Sequence, residues 1–278
     1  MADSNSLTLT VLGSAGAYRT HDGSRASGYL VQHGATTLVL DLGHGTYAPL
    51  AAQIGINALP QISAVAISHL HPDHWVDLAA LRHALVLGNK MGADARSVAV
   101  ISPSGLAPRL ATLLNDQTPE EQAAGTRDSL QPFAFSTWRS DAALPPLGGG
   151  RVLPVGSLMV RSARVRHTGE SYALRVAARD QPGLTYSGDI SHWEDLAAIV
   201  QSGDTLLCEA AGGAAQWREG DTHVTAYGAG KAASSAGAAK LLLTHFGAEV
   251  DPAEAVRAAA TEFSGEIVAV REGDRFEI

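Results

Sequence analysis

The segment HLHPDH, His69 to His74, sets four side chains of the metal-binding kind within six positions, directly after the apolar run ISAVAIS at 62–68. This placement constrains the fold more than any other feature of the chain. Strand-to-helix junctions along one edge of a sheet are where α/β proteins gather their functional residues. Alternate residues at a strand end point the same way, so His69 and His71 are expected to share one ion. The helix start that follows is expected to turn Asp73 and His74 toward a neighbouring position. Two adjacent ions would account for four ligands in a single turn, and a mixed imidazole and carboxylate set suits a divalent metal.

Three more residues of this type close apolar runs further along the chain. His167 ends SLMVRSARVRH, Asp189 ends LTYSGD and His245 ends KLLLTHF. Any one of them alone would pass as a loop or capping residue. Their repetition at strand ends is the informative point.

The remaining pattern is an alternation of strands and helices. Strands are predicted at 7–13, 28–32, 37–43, 62–68 and 97–101, with helices near 46–54, 75–87 and 105–114. The second half repeats the style, with strands at 157–166, 172–178, 184–188, 204–210, 240–246 and 266–272. Helices are predicted there at 193–201, 225–236 and 252–262. The stretch LPPLGGG at 144–150 marks a join between halves of about 1–145 and 150–278, within one domain spanning 1–278. The polar segment 115–130 is expected to be a loop or lid. Such mixed pairing predicts an α/β sandwich, two packed mixed sheets with helices outside.

A chain of 278 residues that is 45% hydrophobic can bury a sizeable core. No run reaches the roughly 18 apolar residues that a membrane helix needs. The segment MADSNS before LTLTVLG has no basic and apolar signal pattern, and the single Cys208 permits no disulfide within the chain. A cytoplasmic location is therefore expected. The net charge is −8, from 20 Lys+Arg against 28 Asp+Glu, and no basic stripe exceeds RSARVRH. Long nucleic acids are disfavoured as partners on that ground, whereas a small anion held by a metal is not.

Five other histidines, His21, His33, His44, His83 and His192, have no partner motif and read as surface or loop residues. GSAGAY at 13–18 reads as a tight turn that lets the backbone pass near the metals. Tyr18, Arg19 and Trp75 could touch a base or phosphate, although an aromatic beside a metal motif is more often core.

Taken together, HLHPDH, His167, Asp189 in YSGD and His245 in LLLTHF resemble the metallo-β-lactamase fold superfamily in its expected order along nearly the whole chain. The resemblance implies an αββα sandwich. It implies that His69, His71 and His167 bind one metal, that Asp73, His74 and His245 bind the other, and that Asp189 bridges them. Asp41 in DLGHG would support the site from behind.

Between Asp189 and His245 the segments CEA (208–210) and THVTA (222–226) resemble the ribonuclease Z branch. There a glutamate at a strand end orients a histidine at a helix start, which implies Glu209 and His223. The chain has Cys-Glu-Ala-Ala where that branch has His-Glu-Ala-Thr, so the glutamate and its alanine are what carry over. The implied chemistry is phosphodiester hydrolysis. A hydroxide held between two metals would attack phosphorus in line, Asp73 would accept its proton, and His223, kept protonated by Glu209, would serve as general acid.

Ribonuclease Z enzymes that process tRNA carry an arm between the third and fourth metal motifs. Here His167 and Asp189 are 22 positions apart, too few for an arm. LTVLGSAGA, ASGYLV, HTGESYALRV and LLCEA are similar to armless bacterial cyclic-nucleotide phosphodiesterases. The expected reaction is hydrolysis of a 3′,5′-cyclic nucleotide to the 5′-nucleotide. The alternatives are a tRNA 3′-processing endonuclease, a lactonase or arylsulfatase on the same metals, and a non-catalytic nucleotide-binding regulator. Zinc suits the His-rich site and manganese is compatible with it. Relatives of this type imply a homodimer.

Overall fold

A computed structural model describes residues 6–17, 23–90, 97–115, 118, 120, 130–140 and 142–278. Tyr18, Arg19, His21 and most of the segment expected as a lid lie outside the described residues.

The first half forms β1 (Thr8–Gly13), β2 (Gly28–His33), β3 (Thr36–Leu42), β4 (Ala64–Ala66), β5 (Val98–Ser102) and β6 (Phe133–Thr137). The second forms β7 (Val152–Val155), β8 (Leu158–Val165), β9 (Ser171–Ala177), β10 (Leu184–Tyr186), β11 (Thr205–Glu209), β12 (Lys240–Thr244) and β13 (Glu266–Ala269). A last strand, β14 (Arg275–Glu277), crosses back and pairs antiparallel with β1. The sheet orders are β14-β1-β2-β3-β4-β5-β6 and β13-β12-β11-β10-β9-β8-β7.

Alternation along the strands explains the layers. Leu9, Tyr29, Leu38, Leu40, Leu174, Leu207 and Leu242 face the core between the sheets. Residues of opposite parity, such as Leu30 and Val39, pack beneath α1 (Tyr47–Ile54), α2 (Leu78–Lys90) and α3 (Leu106–Leu114). Leu206, Cys208, Leu241 and Leu243 pack beneath α4 (Ala226–Ala236) and α5 (Pro252–Ala259). The result is the expected αββα sandwich. Among the described residues no helix is long and apolar enough to cross a membrane.

Each sheet is antiparallel on one side and parallel on the other. The parallel strands β3, β4, β10, β11 and β12 all run toward the same edge of the sandwich, where the candidate ligands lie. Three sequence expectations need correcting. The strand read at 62–68 is β4, only Ala64–Ala66, so His69 and His71 sit in the loop beyond it. The helix read at 193–201 is a 3-10 turn at Trp193–Ala198. Its apolar spacing is helical, but the β-branched Ile199 leaves helical geometry at φ −132°. The short strands β6, β7 and β14 were not expected. Pro154 lies in β7, an edge strand where a missing amide donor is tolerated.

Asp204 ties the second sheet together at the far ends of its strands. Its buried carboxylate accepts from Arg175 Nε and Nη2 at 2.8 Å each, Gly183 N at 2.8 Å, Thr185 Oγ1 at 2.9 Å and Gln201 N at 3.0 Å. Burial works against its charge, but the Arg175 guanidinium and the amides outweigh it and hold the carboxyl below its usual range. Asp204→Ala should cost about 3–5 kcal/mol in urea denaturation, because it leaves Arg175 without its partner in a mostly buried setting. The wild-type contribution is full above the ordinary carboxylate value near 3.9 and is lost as the pH falls through the folded-state value.

Candidate metal centre

His69 and His71 lie on the loop after β4, and Asp73 and His74 lie in the 3-10 turn Pro72–His74. His167 follows β8, Asp189 follows β10 and His245 follows β12. The fold brings all seven together. Ligand atoms of His69, His71, His167 and Asp189 lie within 4.8 Å of one another, as do those of Asp73, His74 and His245. Asp189 and His245 form a third such group with His223. Asp189 Oδ2 stands 3.7 Å from His69 Nε2, 3.7 Å from His167 Nε2, 3.4 Å from His74 Nε2 and 3.3 Å from His245 Nε2. One carboxylate oxygen thus sits between both histidine groups.

Hydrogen bonds behind the cluster set the ring orientations. Asp41 Oδ2 accepts from His74 Nδ1 at 2.7 Å, Ser68 Oγ at 2.7 Å and Tyr186 OH at 2.8 Å, while Oδ1 accepts from Ser68 N at 2.7 Å. Ser68 Oγ in turn lies 3.1 Å from His69 Nδ1, Ser27 Oγ lies 2.8 Å from His245 Nδ1, and His167 Nδ1 donates to Thr222 O at 2.8 Å. In each ring Nδ1 is engaged and Nε2 is turned into the cluster, the arrangement that makes imidazole a good ligand. His71 differs, with its Nδ1 3.3 Å from His167 Nε2.

Two backbone features hold these loops. Asp41 and His245 adopt left-handed φ values of +53° and +54°, which non-glycine residues seldom do outside sites that need them. Gly43 brings the turn after β3 so close to the Asp73 loop that a Cβ there would stand 1.8 Å from Asp73 O. The glycine-rich segment after β1 also reaches the site. Gly16 N donates to Phe246 O at 2.9 Å, and a Cβ on Gly16 would lie 3.5 Å from His245 Nε2.

The cluster fits a cation. His69 Nε2, His74 Nε2 and Asp189 Oδ1 are buried with no hydrogen-bond partner among the described residues. Leaving such atoms unpaired is costly unless a ligand satisfies them. Burial and the neighbouring His74 push His69 well below the usual imidazole range, which keeps it neutral and ready to donate a lone pair. Burial opposes a charge on His74 too, but Asp189 and Asp41 outweigh it and raise it well above that range. The same negative field attracts a metal ion. Burial alone would raise Asp73 and Asp189, yet the surrounding histidines hold Asp73 at about 2 and Asp189 well below the usual carboxylate range.

Glu209, the last residue of β11, is fully buried. It accepts from Ile190 N at 2.8 Å and Ala211 N at 3.2 Å, and both its oxygens lie 3.0 Å from His223 Nδ1. Burial lowers His223, but this hydrogen bond raises it to about 9. The His223 ring lies 4.9 Å from that of His167 and stacks on that of His245 at 5.8 Å. His71, Asp73, Asp189, His223 and His245 line a cavity of about 470 Å³, with Gly16 and Gly247 on its rim.

Residues 36–246 match the family described as "Beta-lactamase superfamily domain", and the chain belongs to the metallo-β-lactamase superfamily. It is 32% identical to an uncharacterized protein of Mycobacterium leprae, over 97% of this chain and 88% of that one. It is 25% identical to the probable metallo-hydrolase YhfI of Bacillus subtilis, over 96% and 98% of the two chains. The crystal structure of YhfI superposes with a TM-score of 0.80 at 23% identity, covering 99% of this chain and 100% of that one. A ribonuclease Z of Mycobacterium bovis is 28% identical over 98% of both chains. The protein is a metallo-hydrolase of this superfamily.

The sequence did not point to Ser27, Ser68 or Tyr186. Ser68 and Tyr186 meet Asp41, and Ser27 meets His245, contacts between separate segments that no local spacing could reveal. Trp75 belongs to the core beneath α2, with its Nε1 donating to Leu70 O at 3.1 Å. His192 Nδ1 lies 2.8 Å from Ser191 Oγ, and its ring meets that of Trp217 at a tilt, with centroids 5.0 Å apart. Asp41→Asn removes the charge that orients His74. It should weaken zinc binding about 10–100-fold in calorimetric titration of the metal-free protein. Unchanged affinity would mean that the Asp41 network is structural only.

Proposed function

We propose that the protein is a phosphodiesterase working with two divalent ions, and that it hydrolyses 3′,5′-cyclic nucleotides to 5′-nucleotides. The observation that carries this reading is the buried Glu209 aimed at His223 on the wall of the metal cavity. An aryl sulfate, whose phenolate leaves without a proton, does not call for such a pair, whereas a nucleoside alkoxide leaving from phosphorus needs a proton. His69, His71 and His167 would hold one ion and Asp73, His74 and His245 the other, with Asp189 between them. Zinc suits the histidine-rich set and manganese is the alternative. When bound, such ions supply Lewis acidity toward phosphate oxygens and a nucleophile drawn from water near neutral pH.

The protein's own groups handle the protons. Glu209 fixes His223 through Nδ1 and favours its charged form, which leaves Nε2 to protonate O3′ as the P–O3′ bond breaks. Asp73, ionised and lining the cavity, would take the proton lost by the attacking water. Between His167 and Asp189 the chain makes only β9, a turn and β10, which supports a small substrate over a folded RNA. The cavity size and the net charge of −8 point the same way. Kinship to a protein named ribonuclease Z supports the phosphodiester class.

The deciding experiment is a chromatographic assay of the metal-loaded protein against 3′,5′-cyclic purine and pyrimidine nucleotides, with and without chelator. Release of 5′-monophosphate that chelator abolishes is the expected result. No release from any of them would overturn the cyclic-nucleotide reading, and cleavage of a 3′-extended tRNA precursor instead would move the substrate to tRNA. His223→Ala should lower kcat on cyclic nucleotides by about 10²–10⁴-fold. It should affect bis(p-nitrophenyl) phosphate far less, because nitrophenolate leaves without a proton. Glu209→Gln should move the high-pH loss of cyclic-nucleotide hydrolysis to lower pH, since His223 then loses its proton more easily. Equal losses on both substrates in His223→Ala would rule out the acid role.

A further inference from the structure

A second cavity, of about 510 Å³, shares His71 with the first, and the chemistry proposed above does not use it. Its walls continue the two loops that carry His71 and His167, through Thr168 and Glu170, and are completed by Ser104, Arg109 and Arg139. Anything bound there lies against a residue of the metal cluster. The cavity is therefore placed to receive the part of a substrate beyond the reacting phosphate.

The charges around it are unequally committed. Glu170 Oε2 accepts from Arg139 Nε at 3.0 Å and Nη2 at 2.5 Å, and its Oε1 accepts from Tyr172 OH at 3.1 Å. Arg139 also donates from Nη1 to Ala142 O at 2.9 Å. Burial opposes the Glu170 charge, yet Arg139 outweighs it and keeps the carboxyl below its usual range, so this pair is internally neutralised. Arg109, in the first turn of α3, is different. The residue is exposed, its backbone belongs to the helix, and its guanidinium has no hydrogen bond or ion pair among the described residues. In a chain with eight more acids than bases, an arginine lining this cavity without a carboxylate is an uncommitted fork of five donors.

We infer that Arg109 is a specificity-determining residue that reads a paired-acceptor group of the substrate in this cavity: the O6/N7 edge of a 6-oxopurine or the oxygens of a second phosphate. The planar guanidinium matches either pair of acceptors with two parallel hydrogen bonds. Adenine instead presents its 6-amino donor beside N7, which the fork cannot satisfy. The inference rests on the phosphodiesterase reading and names the feature by which that site selects among diesters.

The test compares kcat/KM ratios in wild type, Arg109→Ala and Arg109→Lys. One arm sets cyclic GMP and cyclic IMP against cyclic AMP. The other sets a 5′-phosphorylated adenine dinucleotide against the same dinucleotide without its terminal phosphate. One of the two wild-type ratios should exceed about tenfold and fall to near unity in Arg109→Ala. Arg109→Lys keeps the charge without the fork, so it should retain much of a phosphate preference and lose an oxopurine preference. Ratios that do not change in either arm overturn the inference.

If no diester is turned over, the phosphodiesterase reading fails by itself. Arg109 is then tested by calorimetric binding of 5′-GMP against 5′-AMP, and of ADP against AMP, to wild type and Arg109→Ala. Loss of a wild-type preference in the variant supports the assignment, and identical preferences in the two proteins reject it.

Discussion

The carboxylate of Asp41 accepts four hydrogen bonds in a fully buried position, and the organisation of the site follows from them. Two come from Ser68, at the start of the loop that carries His69 and His71. One comes from His74, and one comes across the interface from Tyr186 at the end of β10. A single side chain of the first sheet thereby sets the His74 ring, fixes the His69–His74 loop and registers the second sheet against the first. Burial and the nearby Asp41 keep the Tyr186 phenol far above its usual range, so it remains a donor. The left-handed backbone at Asp41 is the local strain accepted to aim this carboxylate.

The sandwich explains why the candidate ligands come from such distant parts of the chain. Parallel strands in both sheets end on one edge, and side chains just beyond those ends point into the same space. The first sheet supplies His69, His71, Asp73 and His74 from one loop. The second supplies His167, Asp189 and His245 from three separate strand ends, together with Glu209 and its histidine. Asp204 does the complementary work at the opposite ends of β10 and β11, so the strands are pinned at both extremities.

Much of this arrangement was legible in the sequence because clusters of His and Asp and apolar runs are local signals. HLHPDH declares itself within six residues, and runs such as KLLLTHF give both a buried strand and the residue that ends it. Glu209 and His223 were legible through the short segments that surround them. The supporting partners were not, because Ser27 meets His245 across 218 positions and Tyr186 meets Asp41 across 145. Serine and tyrosine also occur everywhere for other reasons, and only the folded chain selects these ones. Short edge strands such as β7 and β14 carry too few residues to show a period. Arg109 illustrates a different limit, since an unpaired cation is defined by the carboxylates that fail to reach it.

The long separations within the Asp41 network have a kinetic meaning. Contacts so distant along the chain form only after the intervening loops have closed, and that entropy is spent before the contacts give anything back. A half-formed molecule, with only the first sheet assembled, would hold the His69–His74 loop without Tyr186 or Asp189 to orient it. The full cluster of seven candidate ligands must therefore await the docking of both sheets. In refolding, acquisition of that geometry would mark the completion of folding, with secondary structure already in place.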